Sequence, residues 1–258
     1  MRVLGRVAGV VARRIFSSAP PEIRYPTVLH VDAFTKTPFA GNPAAVCLLH
    51  DKADAKWMLN VARNQNLSET AFVRPTGSSE LEGNEGAAAK GETFELQWFT
   101  PAVEVDLCGH ATLAAAHALF SRPAGRESDV LRFSTRSGEL QAIRRAEGLI
   151  ELDFPATPPA PLKDDSAPTK EEIALALRLP EELIDVIGAS DDLLVVVPDA
   201  AIVKAADPDL ALIARMPFRG VIVSAADGSH PFHFSSRFFA PTIGIAEDSV
   251  TGLSLIHI

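Results

Sequence analysis

Cysteine is scarce in this chain: Cys47 and Cys108 are the only two among 258 residues. Two thiols so far apart make neither a disulfide framework nor a structural zinc site. No apolar run approaches the length needed to cross a bilayer. No Gly-x-Gly-x-x-Gly follows a strand-like stretch, which sets aside the doubly wound nucleotide-binding folds. A surplus of positive charge is also missing, the formal net charge being −9. Nucleic acid or an anionic membrane would repel such a chain, so neither is expected as a partner. His30, His50, His117, His230 and His233 show no ligand spacing, and no metal is expected. Acidic residues are absent before Glu22, where Arg2, Arg6, Arg13, Arg14, Ser17 and Ser18 stand instead. That is the composition of an organelle transit peptide. Residues 1–24 are therefore read as a leader and set outside the fold. The Arg14-Ile15-Phe16-Ser17 context favours mitochondria, with plastid or cytoplasm as alternatives. A disordered tail has the same composition.

What the chain does have is organised around the stretch from Trp98 to Phe120. Pro101 ends a strand, because a prolyl nitrogen cannot donate to a ladder. After Gly109, the run from Ala111 to Phe120 reads as a helix apolar on nearly every side, and such a helix has to be enclosed by other structure. Its first turn carries unpaired N–H groups and the positive end of the helix dipole, which suit a ligand carboxylate. Cys108 and His110 stand at that mouth. The same grammar returns near the end. Phe99-Thr-Pro-Ala-Val-Glu-Val is echoed by Phe239-Ala-Pro-Thr-Ile-Gly-Ile, 239 − 99 = 140 residues later. A repeat this distant indicates a duplicated domain rather than a solenoid.

Taken in order, Val28–Phe34 and Ala44–Leu49 read as strands and Asp51–Asn66 as a helix. Within Asn66–Val73, an extended chain puts Leu67, Glu69, Ala71 and Val73 on one face. Glu69 is then a carboxylate on an apolar side, where lost solvation favours its protonated form and suits it to acid/base work. On spacing alone, the same residue also fits a hydrated strand end. Strands are expected at Thr93–Phe99, Val130–Ser134, Glu139–Arg144 and Leu149–Phe154. The proline-rich stretch 156–168 is a stiff linker, and separates a first domain, 26–155, from a second, 169–258. The second opens with a capping box from Thr169 to Glu172. It continues through strands at Leu193–Val197, Gly220–Ser224 and Phe232–Phe239, with a short helix at Pro208–Arg215. Its enclosed helix would begin after Gly252, where only Leu253–Ile258 remain, so the second domain is expected to be incomplete and the chain truncated.

Four motifs in order resemble the PhzF-like phenazine-biosynthesis family. They are Asp32-Ala33-Phe34 with Phe39–Val46, then Asn66–Phe72, then Phe99-Thr100-Pro101 with Leu107–Thr112, then Arg237–Pro241 with Glu247-Asp248 and Thr251-Gly252. The resemblance implies an α+β, diaminopimelate epimerase-like fold of two pseudo-symmetric domains, each a β-barrel-like sheet around a central helix, with the site in the cleft between them. It implies a cofactor-independent isomerase that moves a proton between carbons of a small carboxylated substrate. Carried across by motif, Glu69, His110 and Asp248 are the catalytic residues. Asn42, Ser68, Gly109, Thr251 and Gly252 are the substrate-binding ones. A homodimer is the assembly the resemblance points to. Two other readings stand beside it: a racemase or epimerase of amino or hydroxy acids using Cys108, and a non-catalytic binding or regulatory protein on the same fold. The motifs describe proton-moving machinery and do not name a substrate.

Overall fold

A computed structural model describes residues 2–5, 7–13, 26–76, 93–122, 128–156, 158–162, 167–228 and 233–248. The chain divides into two compact units, Met1–Pro155 and Ala156–Ile258.

The first unit runs β1 (Arg2–Gly5), β2 (Val7–Arg13), β3 (Thr27–Ala33), β4 (Asn42–Leu48), α1 (Ala55–Gln65), β5 (Thr70–Pro75), β6 (Thr93–Phe99) and β7 (Glu104–Val105). It goes on through α2 (Gly109–Phe120), β8 (Val130–Thr135), β9 (Gly138–Arg144) and β10 (Ile150–Asp153). Its sheet has the order β1-β10-β9-β8-β6-β5-β4-β3-β2, with β7 on β6. The arginine-rich start, set outside the fold on composition, thus supplies two strands. They cover the edges that β10 and β3 would otherwise leave unpaired. The sheet curls into a half-barrel, with β1 and β2 at the two ends of the strand order.

Inside that curl lies α2. It packs on β2, β3, β4, β5, β9 and β10, and every residue from Gly109 to Ala116 is buried. Ala114, Ala115 and Ala116 are small enough for the sheet to wrap the helix closely. On the other side of β4 and β5 lies α1. Asp54 caps its start, accepting from the Trp57 N–H at 2.9 Å. Asn66 ends it in the left-handed conformation, donating its N–H to the Ala62 carbonyl at 3.0 Å. The helix is therefore shorter at its start than the sequence pattern suggested, because Asp54 is a cap and not a helical residue. Phe72 packs against Met58 and Ala62 of α1 and meets the Phe99 ring edge-on at 5.6 Å. Alternation then turns Ala71 and Val73 towards α2, so β5 is buried on both faces.

The second unit runs α3 (Lys170–Leu177), β11 (Val186–Ala189), β12 (Leu193–Val196), α4 (Ala200–Ala205), α5 (Leu210–Ile213), β13 (Val221–Ala226), β14 (Phe234–Ala240) and β15 (Ile245–Asp248). The capping box of α3 forms as its sequence indicates, with Thr169 and Glu172 bonding reciprocally. Its core gathers Ile173, Leu177, Leu193, Val195, Val203, Val221, Val223 and Phe239. The central helix expected after Gly252 lies outside the described residues.

Strand for strand, the two units share one pattern. In β3-β4-β5-β6-β7 the successive pairings are antiparallel, parallel, antiparallel and antiparallel. In β11-β12-β13-β14-β15 they are the same. Registers agree as well: Thr70 pairs with Phe99, and Val221 pairs with Phe239. The short repeat seen in the sequence is the visible remnant of this duplication. The fold is α+β, with a second sheet smaller than the first.

Cys47 faces Met58 and Phe72 in β4, and burial pushes its thiol up from 9.0 to about 12. A folded state that keeps a proton the unfolded chain releases is favoured fully below pH 9.0 and loses that advantage as pH rises through about 12. Between about pH 9.5 and about pH 10.5, urea unfolding of the wild type should therefore lose stability faster than that of Cys47→Ala, with this one group contributing up to about 1.4 kcal/mol per pH unit.

Candidate active site

Several chain elements meet at one end of the first unit's sheet. The parallel pairing of Ala45 with Thr70 places the start of β4 beside the start of β5. The antiparallel pairing of Thr70 with Phe99 brings the end of β6 to the same place. Asn66 reverses the chain out of α1, so that Ser68 and Glu69 arrive just before β5. The Glu69 carbonyl already accepts the Ala45 N–H at 3.3 Å, which extends the β4–β5 ladder back to this residue. Glu69 is therefore fixed by backbone on the face that looks towards α2, in phase with Ala71.

Its side chain is buried, the residue being 7% exposed, and His110, in the first turn of α2, is 3% exposed. Glu69 Oε2 lies 3.4 Å from His110 Nε2. Ser68 Oγ is 3.3 Å from the same nitrogen. On the ring's far side, Cys108 Sγ is 3.5 Å from Nδ1. Both nitrogens of one imidazole thus have a protic neighbour. A tautomer with Nε2–H towards Glu69 leaves Nδ1 to accept from the thiol, and the opposite tautomer reverses the direction. Cys108 occupies the N-cap position of α2 without capping it through its side chain. The positive end of the helix therefore opens onto the group.

Four of the expected residues are brought together here: Ser68, Glu69, Gly109 and His110. Asn42, also expected, is buried at the start of β4 and pairs with Ala33. The loop before it carries Phe39, which is 90% exposed. The backbone of Phe39 is held at φ 65°, with its N–H donated to Asp32 Oδ2 at 2.8 Å. Asp248 is on β15 of the second unit, half-buried and in register with Phe238. Thr251 and Gly252 lie outside the described residues. The contact of Cys108 with His110 is not predicted by the sequence reading, which placed the two residues only at the same helix mouth. Its one available signal was the Cys-x-His spacing at a helix start.

Arg237 was likewise quoted only as part of a motif. It grips Glu247 through Nε at 2.6 Å and Nη2 at 2.7 Å, and donates Nη1 to the Ala206 carbonyl at 2.6 Å. Its guanidinium lies over the Phe239 ring at 4.9 Å. The hydrogen bond to Glu247 raises its pKa against the opposing effect of burial. One arginine thus ties β14, β15 and the end of α4 into a single piece, and fixes the strand that bears Asp248.

The duplication supplies an internal comparison. The Glu69 carbonyl accepts from Ala45, and in the second unit the Gly220 carbonyl accepts from Leu193 at 2.9 Å. Gly220 is the topological counterpart of Glu69, and it has no side chain. A Cβ there would stand 2.6 Å from the Phe238 ring and 2.7 Å from the Phe239 carbonyl oxygen. Only the first copy carries an acid at this position.

An enclosed helix whose first turn faces a buried carboxylate and imidazole thus sits on a duplicated α+β scaffold. The chain matches the family model described as phenazine biosynthesis-like protein, PhzC-PhzF, over residues 31–255, and it belongs to that family. An uncharacterized isomerase of Pseudomonas aeruginosa is 44% identical over 225 residues, covering 86% of this chain and 76% of the relative. Phenazine biosynthesis-like domain-containing protein 1 of Mus musculus is 42% identical over 238 residues, with 86% and 77% covered. A crystal structure of a PhzF-family phenazine biosynthesis protein from Enterococcus faecalis superposes with a TM-score of 0.70 at 35% identity, covering 90% of this chain and 79% of that one.

The crowding at Gly220 yields a direct test. Gly220→Ala should lower unfolding stability by about 1–3 kcal/mol in urea denaturation. Gly228→Ala, where a Cβ meets nothing within 4 Å, should stay within about 0.5 kcal/mol of wild type.

Proposed function

We propose that this chain is a cofactor-independent isomerase that moves a proton between two carbons of a small carboxylated metabolite. Glu69 is the group that takes the proton and gives it back. The observation that carries this reading is the Glu69–His110 pair, a buried carboxylate 3.4 Å from an imidazole at the first turn of an enclosed helix.

The chemistry follows from the groups in place. A substrate carboxylate is received by the first-turn N–H groups of α2, beginning at Gly109, where the helix dipole favours negative charge. The Glu69 carboxylate removes a proton from a carbon next to an unsaturated or carbonyl group and becomes the neutral acid. The electron pair left behind spreads over the conjugated system, and the helix end stabilises it. Glu69 then returns its proton to a different carbon of the same framework, so that no atom is gained or lost. His110 holds the carboxyl group in place through Nε2. Ser68 adds a hydroxyl donor beside it, and Asn42 a further binding group at the sheet end.

The names of the relatives, uncharacterized isomerases among them, support the reaction class. A racemase with two facing thiolates is less well supported. Cys108 is one thiol, and Cys47 is enclosed in β4 with its pKa pushed up to about 12. The absence of an acid at Gly220 likewise favours one proton carrier over two matched ones.

The test is deuterium incorporation. Unsaturated and hydroxylated small carboxylic acids are incubated with the protein in D₂O and read by mass spectrometry. Over many turnovers, in a fraction of which the proton on Glu69 escapes to solvent, the wild type is expected to incorporate label into at least one of them. Glu69→Gln, nearly isosteric and checked for an unchanged thermal unfolding midpoint, should lower that rate by about 10³-fold or more. Undiminished incorporation in Glu69→Gln removes Glu69 from the mechanism. Absence of both label and isomeric product with every one of these acids favours a non-catalytic binding role.

A further inference from the structure

We propose that Glu69, Cys108 and His110 also form a binding site for a borderline-soft divalent cation, Zn²⁺, which occupies the acid/base centre and blocks it. One donor atom from each of the three side chains lies within 4.8 Å of the other two, and all three residues are buried. Sulfur, imidazole nitrogen and carboxylate oxygen together are a zinc donor set, and a poor one for magnesium or calcium, which refuse thiolates.

The distances suit a tetrahedral ion. Zinc bonds of about 2.0–2.3 Å place neighbouring ligand atoms roughly 3.3–3.5 Å apart. Two contacts of the group already have that length: Cys108 Sγ to His110 Nδ1 at 3.5 Å, and Glu69 Oε2 to His110 Nε2 at 3.4 Å. They involve opposite ring nitrogens, and an ion can use only one of them. The ligand on the far side must therefore close in by about 1 Å, a movement open to a cysteine through χ1 or a glutamate through its three side-chain torsions. Three protein ligands leave a fourth position for water or a substrate carboxylate.

The helix end by itself disfavours a cation, since the first turn of α2 is its positive pole. Charge balance answers this. Binding releases the thiol proton, and one thiolate with one carboxylate cancels the two charges of the ion. The helix therefore faces a neutral complex. The same ion would hold the Glu69 lone pair and an imidazole nitrogen, the groups that move the proton. That loss of turnover rests on the reading of Glu69 given above, whereas binding of the ion does not.

Cobalt(II) makes the site visible without any substrate. The reduced, chelator-free protein is titrated with Co²⁺ and followed by absorbance. One equivalent is expected to produce a thiolate-to-cobalt charge-transfer band and the intense visible bands of a four-coordinate ion. Zn²⁺ should abolish both, and Mg²⁺ should leave them unchanged. The charge-transfer band should vanish in Cys108→Ser, a substitution that supplies a better N-cap and so preserves the helix, and should persist in Cys47→Ser. Glu69→Gln and His110→Asn should each weaken Co²⁺ binding by at least about tenfold. Absence of the band at stoichiometric Co²⁺, its survival in Cys108→Ser, or displacement by Mg²⁺ overturns the proposal. None of these results bears on deuterium exchange, so the two readings fail separately.

Discussion

Between Glu69 Oε2 and His110 Nε2 lie 3.4 Å, and both residues are buried within the first unit. The two residues come from different ends of the folding problem. Glu69 is held by main chain, as the residue that begins the parallel β4–β5 ladder. His110 is held by helix, because α2 is surrounded by sheet and can neither slide nor turn without displacing packed side chains. A carboxylate in such a place is costly unless something polar meets it. The imidazole, the Ser68 hydroxyl and the head of α2 are what meet it. Stability and chemistry therefore make the same demand on this corner of the fold.

Duplication explains how one scaffold arrived at an asymmetric site. Both copies fold into the same order of strands with the same registers, down to the carbonyls of Glu69 and Gly220 accepting equivalent amides. Where the first copy has an acid, the second has a glycine pressed against Phe238. The second copy has instead invested its charged residues one hairpin later, in the Arg237–Glu247 pair beside Asp248. The two frames thus carry unlike residues at equivalent points, and the acid stands in the first alone.

Much of this was readable from local pattern. Asn66 ends α1, Thr169 and Glu172 start α3, and the unbroken apolar run after Gly109 demands enclosure. Each is a short-range effect that a few neighbouring residues determine. The alternation through Leu67, Glu69, Ala71 and Val73 put the carboxylate on the side where α2 lies. What escaped was long-range or brief. β11 and β15 have only four residues each, too few for a period to register, and α4 is six residues long after a proline. The N-terminal strands exist because β3 and β10 offer open edges, a property of the assembled sheet rather than of residues 2–13. The Cys108–His110 contact depends on how the first turn of α2 places two side chains, and the grip of Arg237 spans three elements, so neither is a sequence pattern.

The account turns on one carboxylate, sheltered from water, carrying the same proton out and back. Its most direct test uses an acid that proves to be turned over, deuterated at the carbon that loses its proton and followed in ordinary water over the first turnovers. Label appearing at the receiving carbon is the predicted result. Complete washout of deuterium from the first turnover, with the receiving carbon protonated only from solvent, would contradict it.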